Sequence, residues 1–203
     1  MYDLKGRKQN LRTGAFFVAM ERCLLKWAVI DRDDRVLDVG LGNGLMAEYL
    51  LRNMECEVCG VADDMELVRS NRGLVRSADL VYVAAGDIPW RDQAFHAVLL
   101  RPCRLDESAM ENQLREVHRV LKEGGQLVMG LENLPAPLRS ALDAIRETPA
   151  EVTENITRRR AMKMLSQLGF EQFSWHPCGI FAGALVAWKR NTVEERFKKG
   201  EGE

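Results

Sequence analysis

Between Val36 and Gly44 the chain reads Val-Leu-Asp-Val-Gly-Leu-Gly-Asn-Gly, and no other stretch constrains the fold as strongly. A short β-branched run enters an acidic residue and then glycines at positions 40, 42 and 44, and Leu45 to Leu51 reads as the opening of a helix. Strand, glycine turn and helix together make a cradle in which backbone N–H groups can approach a ligand closely. Glycine suits that turn because it permits φ > 0 and leaves no Cβ in the way.

The remaining periodicities extend this unit in both directions. Residues 14–30 read as an amphipathic helix, and Asp31 to Asp34 as the turn into the first strand. Cys56–Val61 reads as a second strand, Asp64–Asn71 as a short helix with Asp64 at its N-cap, Leu80–Val83 as a third strand and Ala97–Leu100 as a fourth. Met110, Leu114, Val117, Val120 and Leu121 recur at helical spacing, and Gly124-Gly125 stands where a helix terminator is expected. Gln126–Met129 reads as a fifth strand, followed by helical stretches near Pro137–Arg146 and Thr157–Leu168. Two last strands, Phe170–Trp175 and Ile180–Trp188, are joined by a Pro177-Cys178-Gly179 turn. Strands that alternate with helices pair in parallel with right-handed crossovers, whereas a short turn forces antiparallel pairing. The expectation is an α/β fold, a doubly wound, mostly parallel seven-stranded Rossmann-like sheet with a C-terminal antiparallel hairpin. Residues 1–189 are expected to form one domain, and the charged residues 190–203 a fraying tail.

Composition excludes several classes of function. A chain of 203 residues with 46% hydrophobic and 29% charged residues is ordinary for a globular domain. A net charge of −1 argues against a broad nucleic-acid-binding face, and Arg158-Arg159-Arg160 reads as a solvated helix start. No run reaches the ~18 apolar residues of a membrane span, and the N-terminus is too charged for a secretory signal. Five irregularly spaced cysteines fit reduced thiols in a cytoplasmic protein better than a disulfide framework. Cys56 and Cys59 lie three apart in a strand and face opposite ways, so no metal site is expected.

In doubly wound sheets ligands bind outside the carboxyl ends of the strands, so the residues just past each strand carry the function. Here they are Gly40-Leu41-Gly42-Asn43-Gly44, then Ala62-Asp63-Asp64, Gly86-Asp87-Ile88-Pro89-Trp90 and Arg101-Pro102. Val36 to Gly44 is similar to the first motif of the class I S-adenosylmethionine-dependent methyltransferases of small molecules. Gly86 to Phe95 resembles that family's Gly-Asp-x-x-Pro-Phe segment, and Glu116 to Leu127 its Glu-x-x-Arg-Val-Leu-Lys-Pro-Gly-Gly segment. The ending, Leu168-Gly169-Phe170 into two strands, resembles its terminal hairpin, so the likeness spans residues 35 to about 189 in matching order. A dinucleotide fingerprint would put its third glycine at Leu45, and no Walker-type lysine follows the glycines.

The resemblance implies S-adenosylmethionine as cofactor and S-adenosylhomocysteine as product. Backbone around Gly40, Gly42 and Gly44 would hold the methionine end. Asp38 would either bind its amino group or only organise the turn. Asp87 would accept from the adenine amino group, Ile88 would offer its backbone N–H to the ring, and Met65 would also lie on the cofactor side. Leu100 and Arg101 would lie near the methionine and the acceptor. The family's ribose-gripping acid falls at Ala62, leaving Asp63 as the ribose ligand or, alternatively, a helix cap. Loss of one charge-assisted hydrogen bond there costs about 1.5–3 kcal/mol, or roughly tenfold to a hundredfold in affinity.

His96 replaces the acid that usually follows phenylalanine and reads as structural, His118 falls on the surface of the helix after strand four, and His176 sits at the final turn. Phe16, Phe17 and Trp90 are candidates either for an apolar pocket lid or for core packing. The expected reaction is methyl transfer to an oxygen, nitrogen or carbon nucleophile of a small molecule, with no residue nominated as a base. An inactive methyltransferase-like regulatory subunit is the first rival. An RNA or protein methyltransferase is the second, disfavoured because Leu100-Arg101-Pro102-Cys103 lacks the Asn/Asp-Pro-Pro-aromatic signature. No membrane partner is expected, and a homodimer is compatible with this reading.

Overall fold

A computed structural model describes residues 11–83, 87–101, 105, 107–132, 156–180 and 182–191, with side chains from residue 19 onward. The described elements are α1 (Leu11–Trp27), β1 (Arg35–Val39), α2 (Leu45–Asn53), β2 (Glu57–Ala62), α3 (Met65–Leu74), β3 (Asp79–Tyr82), β4 (Phe95–Leu100) and α4 (Glu107–Val120). They continue with β5 (Leu121–Glu132), α5 (Arg158–Gln167), β6 (Phe170–Pro177) and β7 (Ala182–Lys189). The expected helix at 137–146, and the tail beyond residue 191, lie outside the described residues.

The seven strands form one sheet in the order β3-β2-β1-β4-β5-β7-β6. The first five strands run parallel, and β7 pairs antiparallel with both β5 and β6, as the short final turn requires. Strand alternation divides the core between two faces. Leu37, Val39, Val98 and Leu100 face Met110, Leu114 and Val117 of α4 and Ala161 and Leu165 of α5. Val36, Ala97, Leu99 and Val128 face Met20 and Leu24 of α1 and Met46, Ala47 and Leu50 of α2. Cys56 and Cys59 fall on opposite faces, as the strand period demands, and burial raises both thiols, Cys59 to about 11. They are inert packing groups.

Several expectations are corrected. The first helix ends at Trp27, not residue 30, because Val29 N–H donates to Gln126 Oε1 at 2.8 Å and the Gln126 amide donates back to Trp27 O. The α4 helix ends at Val120, ahead of the glycines. Leu121 already pairs with Phe95, and the register shifts before Ala97 pairs with Gln126, so Lys122 to Gly125 form an irregularity inside β5 rather than a helix cap. Cys23 and Cys178 are bonded to each other, against the expectation of reduced thiols throughout, because α1 packs where the β6–β7 turn passes. Trp27 stacks on His176 beside that bond, with centroids 3.5 Å apart. His118 is half-buried, edge-on to Phe170, and burial lowers its pKa. Arg190, at the start of the expected tail, donates its N–H to Gly169 O, and its side chain pairs with Glu171. His96 fits the structural reading, since its Nδ1 accepts from Arg35 N at 2.8 Å at the start of β4.

Candidate functional site

The strand order reverses between β1 and β4, whose outgoing chains turn to opposite sides, and the crevice at their carboxyl ends is the expected ligand position. The turn after β1 fills the floor of that crevice. Gly40, Gly42 and Gly44 have φ of 90°, 49° and 77°, all left-handed, which is why glycine recurs at alternate positions. Asn71, buried on α3, donates to Gly42 O at 2.9 Å and braces the turn from below. A Cβ at Gly44 would strike the same Asn71 side chain. Most of the turn's N–H groups are spent internally. Gly40 and Leu41 donate to Val61 O, Gly42 to Gly40 O, Gly44 to Leu41 O, and Leu45 to Asn43 Oδ1. The turn therefore offers close approach more than free donors. Leu41 is fully buried and tucks over Gly60, where any Cβ would displace it.

Above this floor stands a buried charge cluster. Asp38 shares the β1 face of Val36, and Arg101, just past β4, shares the face of Leu99, so both point toward α1. The Arg101 Nε and Nη2 atoms bond the two Asp38 oxygens at 3.3 and 3.2 Å, and Nη1 bonds Glu21 Oε1 from α1. Asp38, Arg101 and Glu21 are only 0%, 4% and 5% exposed, so the cluster is dry and carries an excess of one negative charge when all three are ionised. Burial raises the Glu21 carboxyl despite the opposing attraction of Arg101. Burial would lower Arg101, but Asp38 and Glu21 together hold it above its ordinary value. The guanidinium also lies directly on the turn: a Cβ at Gly42 would collide with it. Glu21 escaped the sequence reading, although one signal was present. It is an acid between Met20 and Leu24, both buried helix positions.

The other half of the crevice carries exposed side chains. β2 ends at Ala62, which is buried with Leu41, Val68 and Leu80, and Asp63 is the first residue past the strand, exposed and without a hydrogen-bond partner among the described residues. Asp64, not Asp63, caps α3, accepting from Glu66 N and Leu67 N at 2.9 and 3.1 Å. Met65 opens α3 as an exposed apolar side chain, as does Tyr82 at the end of β3. Asp87 is exposed, whereas Ile88 is buried and its N–H donates to Glu116 Oε2 at 3.2 Å instead of facing the crevice. Arg119, one helical turn on, grips Ile88 O at 2.9 Å and Trp90 O at 2.8 Å. Glu116 and Arg119 thus clamp both sides of Ile88 and fix the backbone beside Asp87. The hydrogen bond from Arg119 depresses the Glu116 carboxyl pKa. The Leu100 side chain lies in the core. Trp90 packs edge-on to Phe95, a core contact rather than a lid, and the side chains of Phe16 and Phe17 lie outside the described residues. Among the described residues no cluster of ligating side chains could hold a metal, and no helix is long and apolar enough to cross a membrane.

Residues 37–129 match the family model described as a methyltransferase domain. The chain is 33% identical over 133 residues to the ubiquinone/menaquinone biosynthesis C-methyltransferase UbiE of Xanthomonas campestris, covering 62% of this chain and 51% of that protein. It is 30% identical over 155 residues to the sarcosine/dimethylglycine N-methyltransferase of Halorhodospira halochloris, covering 70% of this chain and 53% of that protein. The chain therefore spans about half the length of these curated relatives. Among solved structures, the [4+2]-cyclase SpnF superposes with a TM-score of 0.68 at 20% identity, covering 93% of this chain and 86% of that one, a likeness of fold alone. The matching model, the relatives and the order of the seven strands agree: residues 37–129 carry a methyltransferase domain, similar to those of the S-adenosylmethionine-dependent methyltransferases.

Proposed function

We propose that the crevice past β1, β2 and β4 binds S-adenosylmethionine and that the chain transfers its methyl group to a nucleophilic oxygen, nitrogen or carbon of a small molecule. The observation that carries this reading is the left-handed three-glycine turn at the switch point, flanked by two exposed carboxylates, Asp63 and Asp87. The residues present fit the cofactor's groups. Asp63 suits the ribose hydroxyls and Asp87 the adenine amino group, both being acceptors opposite donors. Met65 supplies apolar cover. Arg101 suits the α-carboxylate and Asp38 the α-ammonium, in a dry setting that strengthens both contacts. Ile88 acts through its fixed position rather than its N–H, which Glu116 holds.

The cofactor brings a methyl group already activated on a sulfonium, so the protein need only position it and exclude water. The glycine turn allows close approach, and the Glu116–Arg119 clamp holds the loop that carries Asp87. The names of the relatives attach to a carbon and a nitrogen acceptor, so kinship does not narrow the acceptor's chemistry. A second reading, a methyltransferase-like subunit that transfers nothing, draws support from the Arg101–Glu21 pair standing on the methionine half of the site. Calorimetry with S-adenosylmethionine and S-adenosylhomocysteine, followed by labelled-methyl transfer to pooled small amines, phenols and quinols, tests both. Absence of binding at millimolar cofactor overturns the enzyme reading. Binding without transfer favours the second.

A further inference from the structure

We propose that Cys23 and Cys178 form a thiol–disulfide exchange site that latches α1 over the methionine half of the crevice, so that a dithiol reductant opens the cofactor site. The inference rests on the cofactor reading above and extends it to regulation. Three contacts along one helix carry it. Glu21 plugs the site by pairing with Arg101 on the glycine turn. Cys23, two residues on, is covalently tied to Cys178 in the β6–β7 turn, 155 residues away in sequence. Trp27 and Val29, at the end of the helix, are tied to the Gln126 side-chain amide on β5, a contact independent of redox state.

The latch thus lies between a fixed hinge at residues 27–29 and the plug at residue 21. While the bond is intact, Glu21 cannot withdraw without dragging the hairpin turn. Once it is broken, α1 can pivot about its Gln126 anchor, and a ligand carboxylate can replace that of Glu21 on Arg101. The two residues are unequally buried: Cys23 lies in the core, whereas Cys178, packed against the same cluster, is half-exposed as a residue between exposed Pro177 and Gly179. A thiolate of the dithiol attacks Cys178 Sγ, the S–S bond breaks, and Cys23 leaves as a thiolate that takes a proton. The second thiol of the reductant then displaces Cys178 from the mixed disulfide. Both cysteines end reduced and the reductant ends as its disulfide, which can drive the reverse exchange. Cys56 and Cys59 are buried, with raised pKa values, and do not compete.

The test compares the full chain oxidised, the full chain reduced with dithiothreitol, Cys178→Ser and Glu21→Gln. Peptide mapping after alkylation establishes the bridge, and failure to find Cys23 joined to Cys178 in the oxidised chain overturns the proposal. Without cofactor, hydrogen exchange of the amides of residues 19–24 should quicken on reduction and in Cys178→Ser, with global melting showing that the fold persists. Unchanged protection overturns the latch whether or not the cofactor binds. In calorimetry with S-adenosylhomocysteine, affinity should rise about tenfold or more on reduction, as expected when the competent fraction rises from about a tenth toward unity. Cys178→Ser should bind tightly without reductant, and Glu21→Gln should bind more tightly than the oxidised wild type. Equal affinity of oxidised wild type and Cys178→Ser overturns the latch. So does weaker binding by Glu21→Gln than by the oxidised wild type, which would make Glu21 a ligand. If no form binds, the cofactor reading fails, and with it the regulatory role, while the exchange data still report on the latch itself.

Discussion

The Arg101 guanidinium occupies the space that a side chain at Gly42 would need, so the glycine serves the protein's own cation before it serves any ligand. In the family motif this position is read as room for a cofactor. Here that room is shared with an arginine that also holds both oxygens of Asp38. The charge of the floor and the shape of the turn are consequently inseparable.

Gly42→Ala should destabilise the fold by about 1–3 kcal/mol, combining a left-handed backbone with the collision. In an Arg101→Ala background only the backbone part should remain, leaving the Gly42→Ala cost nearer 1 kcal/mol. Denaturant midpoints of the two single variants and the double variant measure this coupling. An identical cost in both backgrounds would show that the guanidinium can step aside freely.

Arg101→Ala leaves Asp38 and Glu21 buried without their shared cation and should cost about 3–5 kcal/mol. Replacing the carboxylates as well, in the Asp38→Asn/Glu21→Gln/Arg101→Ala variant, should recover part of that loss because no charge is then stranded. Equilibrium unfolding in urea reads both. If the triple variant is the least stable of the set, the cluster's worth lies in packing rather than charge.

Asp63 and Asp64 are neighbours with separable duties. Removing the α3 cap with Asp64→Ala should cost about 1 kcal/mol of stability. Asp63→Asn should leave the melting temperature unchanged and weaken cofactor binding roughly tenfold to a hundredfold, the worth of a charge-assisted hydrogen bond. The two measurements, melting and calorimetry, should therefore rank the variants in opposite orders. A loss of stability without a loss of affinity in Asp63→Asn would remove it from the site.

Two glutamates should shape the acid limb of stability with opposite signs. The Glu116 pKa is lowered by Arg119, so the folded chain holds its proton more weakly than the unfolded chain does. Its contribution is present above its ordinary value of 4.5 and is lost as pH falls through the lowered one. The Glu21 pKa is raised by burial, so its contribution is fully present below 4.5 and is lost as pH rises through the raised one. Melting temperature against pH should accordingly fall off less steeply in acid for Glu116→Gln than for wild type. For Glu21→Gln the decline should be steeper. Parallel curves for all three proteins would contradict the assignment.

Much of the fold was legible because it depends on short-range patterns. The period of α4, the alternation within β1 and β4, and the glycines at 40, 42 and 44 each carry their meaning within a dozen residues. The Glu116–Arg119 pair was visible as a motif, yet its grip on Ile88 and Trp90 was not, because the loop it holds lies about 30 residues upstream. The helix terminator at Gly124 was misread for a related reason. A glycine with positive φ serves a bulge and a cap equally well, and pairing of Leu121 with Phe95 decided for the bulge.

Local periodicity and backbone sterics suffice for the succession of strands and helices, the left-handed turn and the positions past each strand where a ligand must lie. What already stands on that turn depends on contacts between distant parts of the chain. Glu21 reaches Arg101 across 80 residues, Arg101 reaches Asp38 across 63, and Cys23 reaches Cys178 across 155. Amphipathic spacing shows that α1 must bury one face, but not against which end of which sheet. That choice comes from packing the whole core, and it brought the carboxylate, the cation and the disulfide to the same edge.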